Sequence, residues 1–114
     1  MGIFDRVSVE NLITLNSKLP PLLPLVYQTK DLDCIMKCYS LDEILQDFKI
    51  QELRLYTTFS QDLFSELLQE EDMGETILFS LDTFSECFAN NWLEYHLKIS
   101  KKKIIDIKIK SFKD

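Results

Sequence analysis

The sequence predicts an α+β fold: one mixed sheet made from short strand-helix units, with an N-terminal helix before them and a C-terminal antiparallel β-hairpin after them. Three observations lead there. An aromatic-Ser-x-Asp unit recurs every 20 residues, as Tyr39-Ser40-Leu41-Asp42, Phe59-Ser60-Gln61-Asp62 and Phe79-Ser80-Leu81-Asp82, and each copy joins a strand-like run to a helical pattern. The C-terminal stretch alternates apolar and charged residues on both sides of a polar turn. The chain has 114 residues, 46% hydrophobic and 11% aromatic, which suits a single domain over residues 1–114 with one hydrophobic core. Two glycines and three prolines are too few for a turn-rich sandwich or barrel.

Ser8 starts the N-terminal helix in this reading. Val9, Leu12, Ile13 and Leu15 follow at near-helical spacing, with Glu10 in the first turn, where negative charge suits the helix dipole. Pro20, Pro21 and Pro24 stop that helix and force an extended path, expected to brace the core. A polyproline ligand for a partner groove is the rarer use of such a segment.

The repeated unit has a local physical reason. Its aromatic residue closes a strand, and its serine hydroxyl serves the orphan amides of the next helical turn. Its aspartate then sits where the dipole favours an anion. Ser40 with Glu43, and Thr83 with Glu86, have the spacing of a capping box. The predicted strands are 34–39, 52–59 and 75–79. The predicted helices follow each of them, with Phe64, Leu67 and Leu68, then Leu81, Phe84 and Phe88, as buried stripes. Gly74 ends the second helix. The 20-residue register reads as an economical way to start a helix after a strand; duplication is the other explanation.

At the C-terminus Leu93, Tyr95, Leu97 and Ile99 alternate with Glu94, His96 and Lys98. Beyond the turn, Ile105, Ile107 and Ile109 alternate with Asp106, Lys108 and Lys110. That is a hairpin with one apolar and one charged face.

Charge is segregated along the chain. Residues 1–30 carry three basic and two acidic groups, residues 31–90 three and fourteen, and residues 91–114 seven and three, for a net charge of −6. A field of one sign over the middle repels nucleic acid and anionic membranes and draws a basic partner, chiefly through the association rate. The densest acids, Glu70, Glu71 and Asp72, with Glu75 beyond Gly74 and Glu66 a turn earlier, are the candidate partner-binding residues. A solvated helix face is the plainer account of the same acids.

The sequence offers little catalytic chemistry. A zinc site would need Cys34, Cys38, Cys87 and His96, whose spacing matches no common ligand set. A Cys87–His96 pair is conceivable, since such pairs are spatial, but nothing else supports it. No phosphate-binding, dinucleotide or calcium motif is present. The expectation is no catalytic residue, no metal and no cofactor. The lysines of the hairpin lack the arginine preferred for reading bases, so direct nucleic-acid binding is not expected, and they are read as offsetting the acidic middle. The cysteines, an odd number without a disulfide framework, and the lack of a secretory signal or an apolar span point to the cytoplasm and away from the membrane.

Three function classes follow. The first is a non-enzymatic inhibitor or immunity-type protein, whose acidic face over residues 31–90 covers a basic partner such as a nuclease toxin or a nucleic-acid-binding protein. In size and acidity the chain resembles small immunity and inhibitor proteins, a compositional likeness carried by no motif. The second is an adaptor or secretion chaperone, often a homodimer, that binds a client through an edge strand or an apolar helix face. The third, a small enzyme, is disfavoured by the missing catalytic groups.

Overall fold

Residues Asp5–Ser8 form β1, and the alternation of Asp5, Val7 and Val9 on the buried side shows why. The structure is a computed structural model, which describes residues 3–16, 18–69 and 81–110, except the side chains of residues 68 and 81–83. The other strands are β2 (Val26–Thr29), β3 (Cys38–Ser40), β4 (Glu52–Thr58), β5 (Trp92–Ser100) and β6 (Lys103–Ile109). The helices are α1 (Leu41–Asp47), α2 (Gln61–Leu68) and α3 (Leu81–Asn90).

The strands form one six-stranded sheet in the order β3-β1-β2-β4-β5-β6. β1 and β3 run parallel and every other neighbouring pair is antiparallel, so the sheet is mixed. The α+β class therefore holds.

The N-terminal helix does not form. Ser8 ends β1, paired with Val26 of β2 and Ser40 of β3, and Ile13 bridges Leu22 across the following loop. The stretch between Ser8 and the prolines is short and contains the β-branched Val9, Ile13 and Thr14, which favour extended backbone. A period of two starting at Asp5 outweighs the helical spacing that begins at Val9. The expected strand 34–39 is also shortened, to Cys38–Ser40, because Cys34 and Met36 take positive φ of 56° and 58°.

The Asp5 carboxylate holds that turn together. It is fully buried and accepts backbone N–H groups from Cys34 (2.7 Å), Ile35 (3.0 Å) and Lys37 (3.0 Å). Burial on its own would raise its pKa. The backbone donors of Lys37, Cys34, Ile35 and Asp33 outweigh that and bring it below the ordinary 3.8.

The capping serines behave as the sequence suggests. Ser40 Oγ accepts from the Glu43 N–H at 3.2 Å, and Ser60 Oγ accepts from the Leu63 N–H at 3.2 Å, at the starts of α1 and α2. Thr83 lies inside α3, so it does not cap it. The third serine, Ser80, the strand expected at 75–79 and Gly74 lie outside the described residues.

One face of the sheet is buried under the helices. Leu53 and Leu55 of β4 and Leu93, Tyr95, Leu97 and Ile99 of β5 share the core with Ile44, Phe64, Leu67, Phe84 and Cys87 of the helices. Phe59, Phe64, Phe84 and Phe88 form an aromatic knot with ring centroids 4.9–6.2 Å apart. The proline segment braces this core as expected: Leu22 and Leu23 are fully buried. Tyr95 Oη donates to the Pro21 carbonyl (2.7 Å) and accepts from the Leu23 N–H (3.3 Å), while Tyr27 Oη donates to the Leu23 carbonyl (2.7 Å).

The hairpin forms with one correction. Lys98 pairs with Asp106, but Ile99 pairs with Ile104, so Ile105 is an extra residue in a β-bulge. Ile105 is consequently 57% exposed, where strict alternation put it in the core beside the buried Ile107. The turn is closed by Lys101 and Lys102, both at positive φ (51° and 62°). A two-residue turn of this kind favours Asn-Gly, because left-handed backbone costs an ordinary residue about 1–2 kcal/mol.

Candidate functional site

Two surfaces are available for function: the outer side of the helix layer and the uncovered face of the sheet. The helix layer is acidic throughout. Asp42, Glu43 and Asp47 on α1 and Asp62 and Glu66 on α2 are exposed, and none of the described helices contains a lysine or arginine. This follows from the same amphipathic pattern that buries Leu41, Ile44, Phe64 and Leu67 on the opposite side. Of the candidate partner-binding residues, Glu66 lies on this surface; Glu70, Glu71, Asp72 and Glu75 lie outside the described residues.

The other sheet face carries charges of both signs. Cross-strand neighbours there are Glu52–Lys98, Arg54–His96 and Tyr56–Glu94 between β4 and β5, and His96–Lys108 and Lys98–Asp106 between β5 and β6. Among the described residues the ion pairs are Arg54–Asp31 (3.0 Å), His96–Glu94 (2.8 Å), Lys110–Glu94 (3.8 Å) and Lys108–Asp106 (3.9 Å). Among the described residues, none of these ion pairs joins a hairpin lysine to an acid of α1 or α2. The expected offset of the acidic middle by the basic hairpin is therefore not made by direct contacts among these residues.

A cleft of about 360 Å³, lined by Lys30, Asp31, Arg54, Tyr56, Trp92 and Glu94, opens on this face. Its origin lies in the sheet. β2 and β4 register at one pair, Gln28–Tyr56, and beyond it Asp31 takes over a ladder bond. The Asp31 carboxylate accepts the Arg54 backbone N–H (2.7 Å) and its guanidinium (3.0 Å to Nη2). Tyr56 and Trp92 stack at 5.5 Å with their planes 26° apart.

Burial would raise the Glu94 carboxyl. The His96 hydrogen bond, the Lys110 charge and the Trp92 indole outweigh it and hold it below the ordinary range. The Tyr56 phenol is raised, first by burial and then by Cys34, Asp31 and Glu94, so it stays protonated at neutral pH.

The Tyr56 hydroxyl is buried and has no hydrogen-bond partner among the described residues. An unpaired buried hydroxyl destabilises the fold, so Tyr56→Phe should be neutral or stabilising by about 1 kcal/mol. A urea-unfolding midpoint at or above that of the parent protein checks this. A clear drop would mean the hydroxyl has a partner.

The cleft can hold a group by charge and stacking, but it presents no activated nucleophile. The conceivable Cys87–His96 pair is not assembled. Cys87 faces the core from α3, whereas His96 lies on the uncovered face of the sheet. Burial, followed by the charge of Glu86, pushes the Cys87 thiol up to about 11. All three cysteines are free thiols. Among the described residues no group of three or more His, Cys, Asp or Glu side chains is placed to hold a metal ion. No described helix is long and apolar enough to cross a membrane.

Sequence reasoning missed this cleft. Tyr56 and Trp92 are 36 positions apart in the chain, and only the pairing of β4 with β5 brings them together. Comparison of the chain with protein-family models, with curated proteins and with solved structures returned no match.

Proposed function

We propose that the protein is a non-enzymatic binding module of the inhibitor or immunity type, which covers a basic protein partner with its acidic helix layer. The observation that carries this reading is the charge of that layer. The described helices display Asp42, Glu43, Asp47, Asp62 and Glu66 and carry no lysine or arginine; the cations of residues 31–69 sit beside or beyond them, at Lys37, Lys49 and Arg54. Helices that carry acids and no bases speed encounter with an oppositely charged partner and orient it before contact. In the same reading Glu70, Glu71, Asp72 and Glu75 are further partner-binding residues, and the protein acts in the cytoplasm.

Charge reversal tests it. Changing Glu66, Glu70 and Glu71 to Lys should slow association with the partner by about tenfold or more at low salt, with a smaller effect at high salt. Stopped-flow or surface-binding kinetics read this directly. An unchanged association rate would reduce the acids to a solvated face.

The alternative is a dimeric adaptor that recruits a client through a sheet edge. Against it, the edge strand β6 carries a bulge and Lys103 and Lys108, features that discourage pairing with a further strand. A salt-independent homodimer in size-exclusion chromatography would favour the adaptor.

A further inference from the structure

We infer that the basic groove at the turn end of the hairpin is a second binding site, which takes an acidic peptide segment bearing an apolar side chain. The groove, about 640 Å³, lies between the α1–β4 connection and the β5–β6 turn. Lys49, Lys98, Lys101 and Lys102 line it, against Asp47 and Glu52. None of those four lysines is in an ion pair among the described residues, so their charge is available to a ligand.

Two departures from regular structure converge on this groove. The β-bulge removes Ile105 from the core side and leaves it exposed in the lining of the groove, to which the half-buried Phe48 and Ile50 also contribute. The turn puts lysines at both left-handed positions, where Asn and Gly would be easier. The bulge also guards the sheet edge, so the paired left-handed lysines are the feature that edge protection leaves unexplained. Strain of this kind persists where side chains at those positions serve another end.

The chemistry selects the occupant. Lysines are point charges that attract carboxylates without demanding a planar, bidentate partner. The apolar wall made by Ile105, Phe48 and Ile50 has no use for a phosphate backbone but fits the aliphatic side chain of a peptide. A long polyanion would also meet the acidic helix layer, whereas a short peptide senses only charges within about 8 Å at physiological salt. A groove, being concave, suits a peptide better than a flat lipid surface. This site attracts the charge opposite to that drawn by the acidic surface proposed above, and the two adjoin at Asp47.

The test uses the full chain and its K101N/K102G variant, which relieves the turn strain and removes two of the four lysines. The probe is a fluorescent peptide of alternating Glu and Leu, compared by anisotropy at low salt with an oligothymidylate of equal length and by sedimentation with phosphatidylserine vesicles. The wild type should bind the peptide saturably. The variant should bind it about tenfold more weakly or worse, while its melting temperature rises by about 4 °C or more. That rise separates lost binding from lost folding. Equal affinity in the two proteins, no saturable peptide binding, or a preference for the oligothymidylate or the vesicles would each overturn the inference.

Discussion

Replacing Tyr95 by Phe is expected to lower the unfolding free energy by about 2–4 kcal/mol, although it removes a single oxygen atom. That oxygen serves two backbone groups 72 and 74 positions away in sequence, accepting the Leu23 N–H and donating to the Pro21 carbonyl. Both partners lie beside the fully buried Leu22 and Leu23, where water cannot replace the hydroxyl. Each orphaned buried group costs about 1–3 kcal/mol, and the ring itself remains packed edge-on against Tyr27 at 5.8 Å. Burial raises the Tyr95 phenol far above its ordinary pKa, so the oxygen is a neutral donor and acceptor throughout the accessible pH range. In thermal terms the loss is about 10 °C for a chain of this size. Tyr27→Phe removes one bond, to the Leu23 carbonyl, and should cost about half as much. Urea unfolding of the two single variants and the double variant measures how far the two hydroxyls act together through Leu23. A Tyr95→Phe protein as stable as the parent would mean that the proline segment is not held by this bond.

The second large effect belongs to Asp5. Its carboxylate takes three backbone N–H groups, and Asp5→Asn replaces one of the two acceptor oxygens by a donor facing those amides. Hydrogen bonds to a charged acceptor contribute about 1.5–3 kcal/mol each, so a loss of about 3 kcal/mol is expected near neutral pH. The effect depends on pH in a defined direction. The folded pKa lies below the ordinary 3.8, so the part of this contribution linked to ionisation is fully present above about pH 4 and is lost as pH falls through the folded value. The gap between wild type and Asp5→Asn should therefore be widest at neutral pH and narrow in acid. Melting curves at pH 7 and pH 3 check this; a constant difference between the two proteins would contradict it.

Much of the fold is legible in the sequence because it rests on local signals. Ser40 and Ser60 cap helices where a Ser-x-Asp pattern after an aromatic says they should. The hairpin is legible from period-two alternation over Leu93–Ile99 and Ile105–Ile109. The places where local reasoning fails are set by distant partners. The stretch after Ser8 has a helical spacing of apolar residues, yet β1 pairs with both β2 and β3, and that pairing decides its backbone. Cys34–Lys37 reads as strand, but the buried Asp5 carboxylate gathers its amides into a turn. Ile105 reads as core until the bulge shifts the register by one residue.

The candidate sites divide in the same way. The acidity of the helix layer is legible, because the periodicity that buries Phe64 and Leu67 exposes Asp62 and Glu66. The Tyr56–Trp92 cleft is not, since it depends on where β2 parts from β4. The basic groove is half legible. Lys98, Lys101 and Lys102 stand close together in the sequence of the hairpin, but Lys49 and Phe48 join them only through the fold, and Ile105 is exposed there only through the bulge.

The central claim is that the acidic helix layer is the surface that meets a basic partner. It is tested most directly by capture from the native host on two immobilised proteins, the wild type and the form with Glu43, Asp62 and Glu66 changed to Lys. The prediction is a basic protein retained at low salt by the wild type, released by added salt, and not retained by the reversed form. The same protein held equally by both, with no dependence on salt, would contradict it.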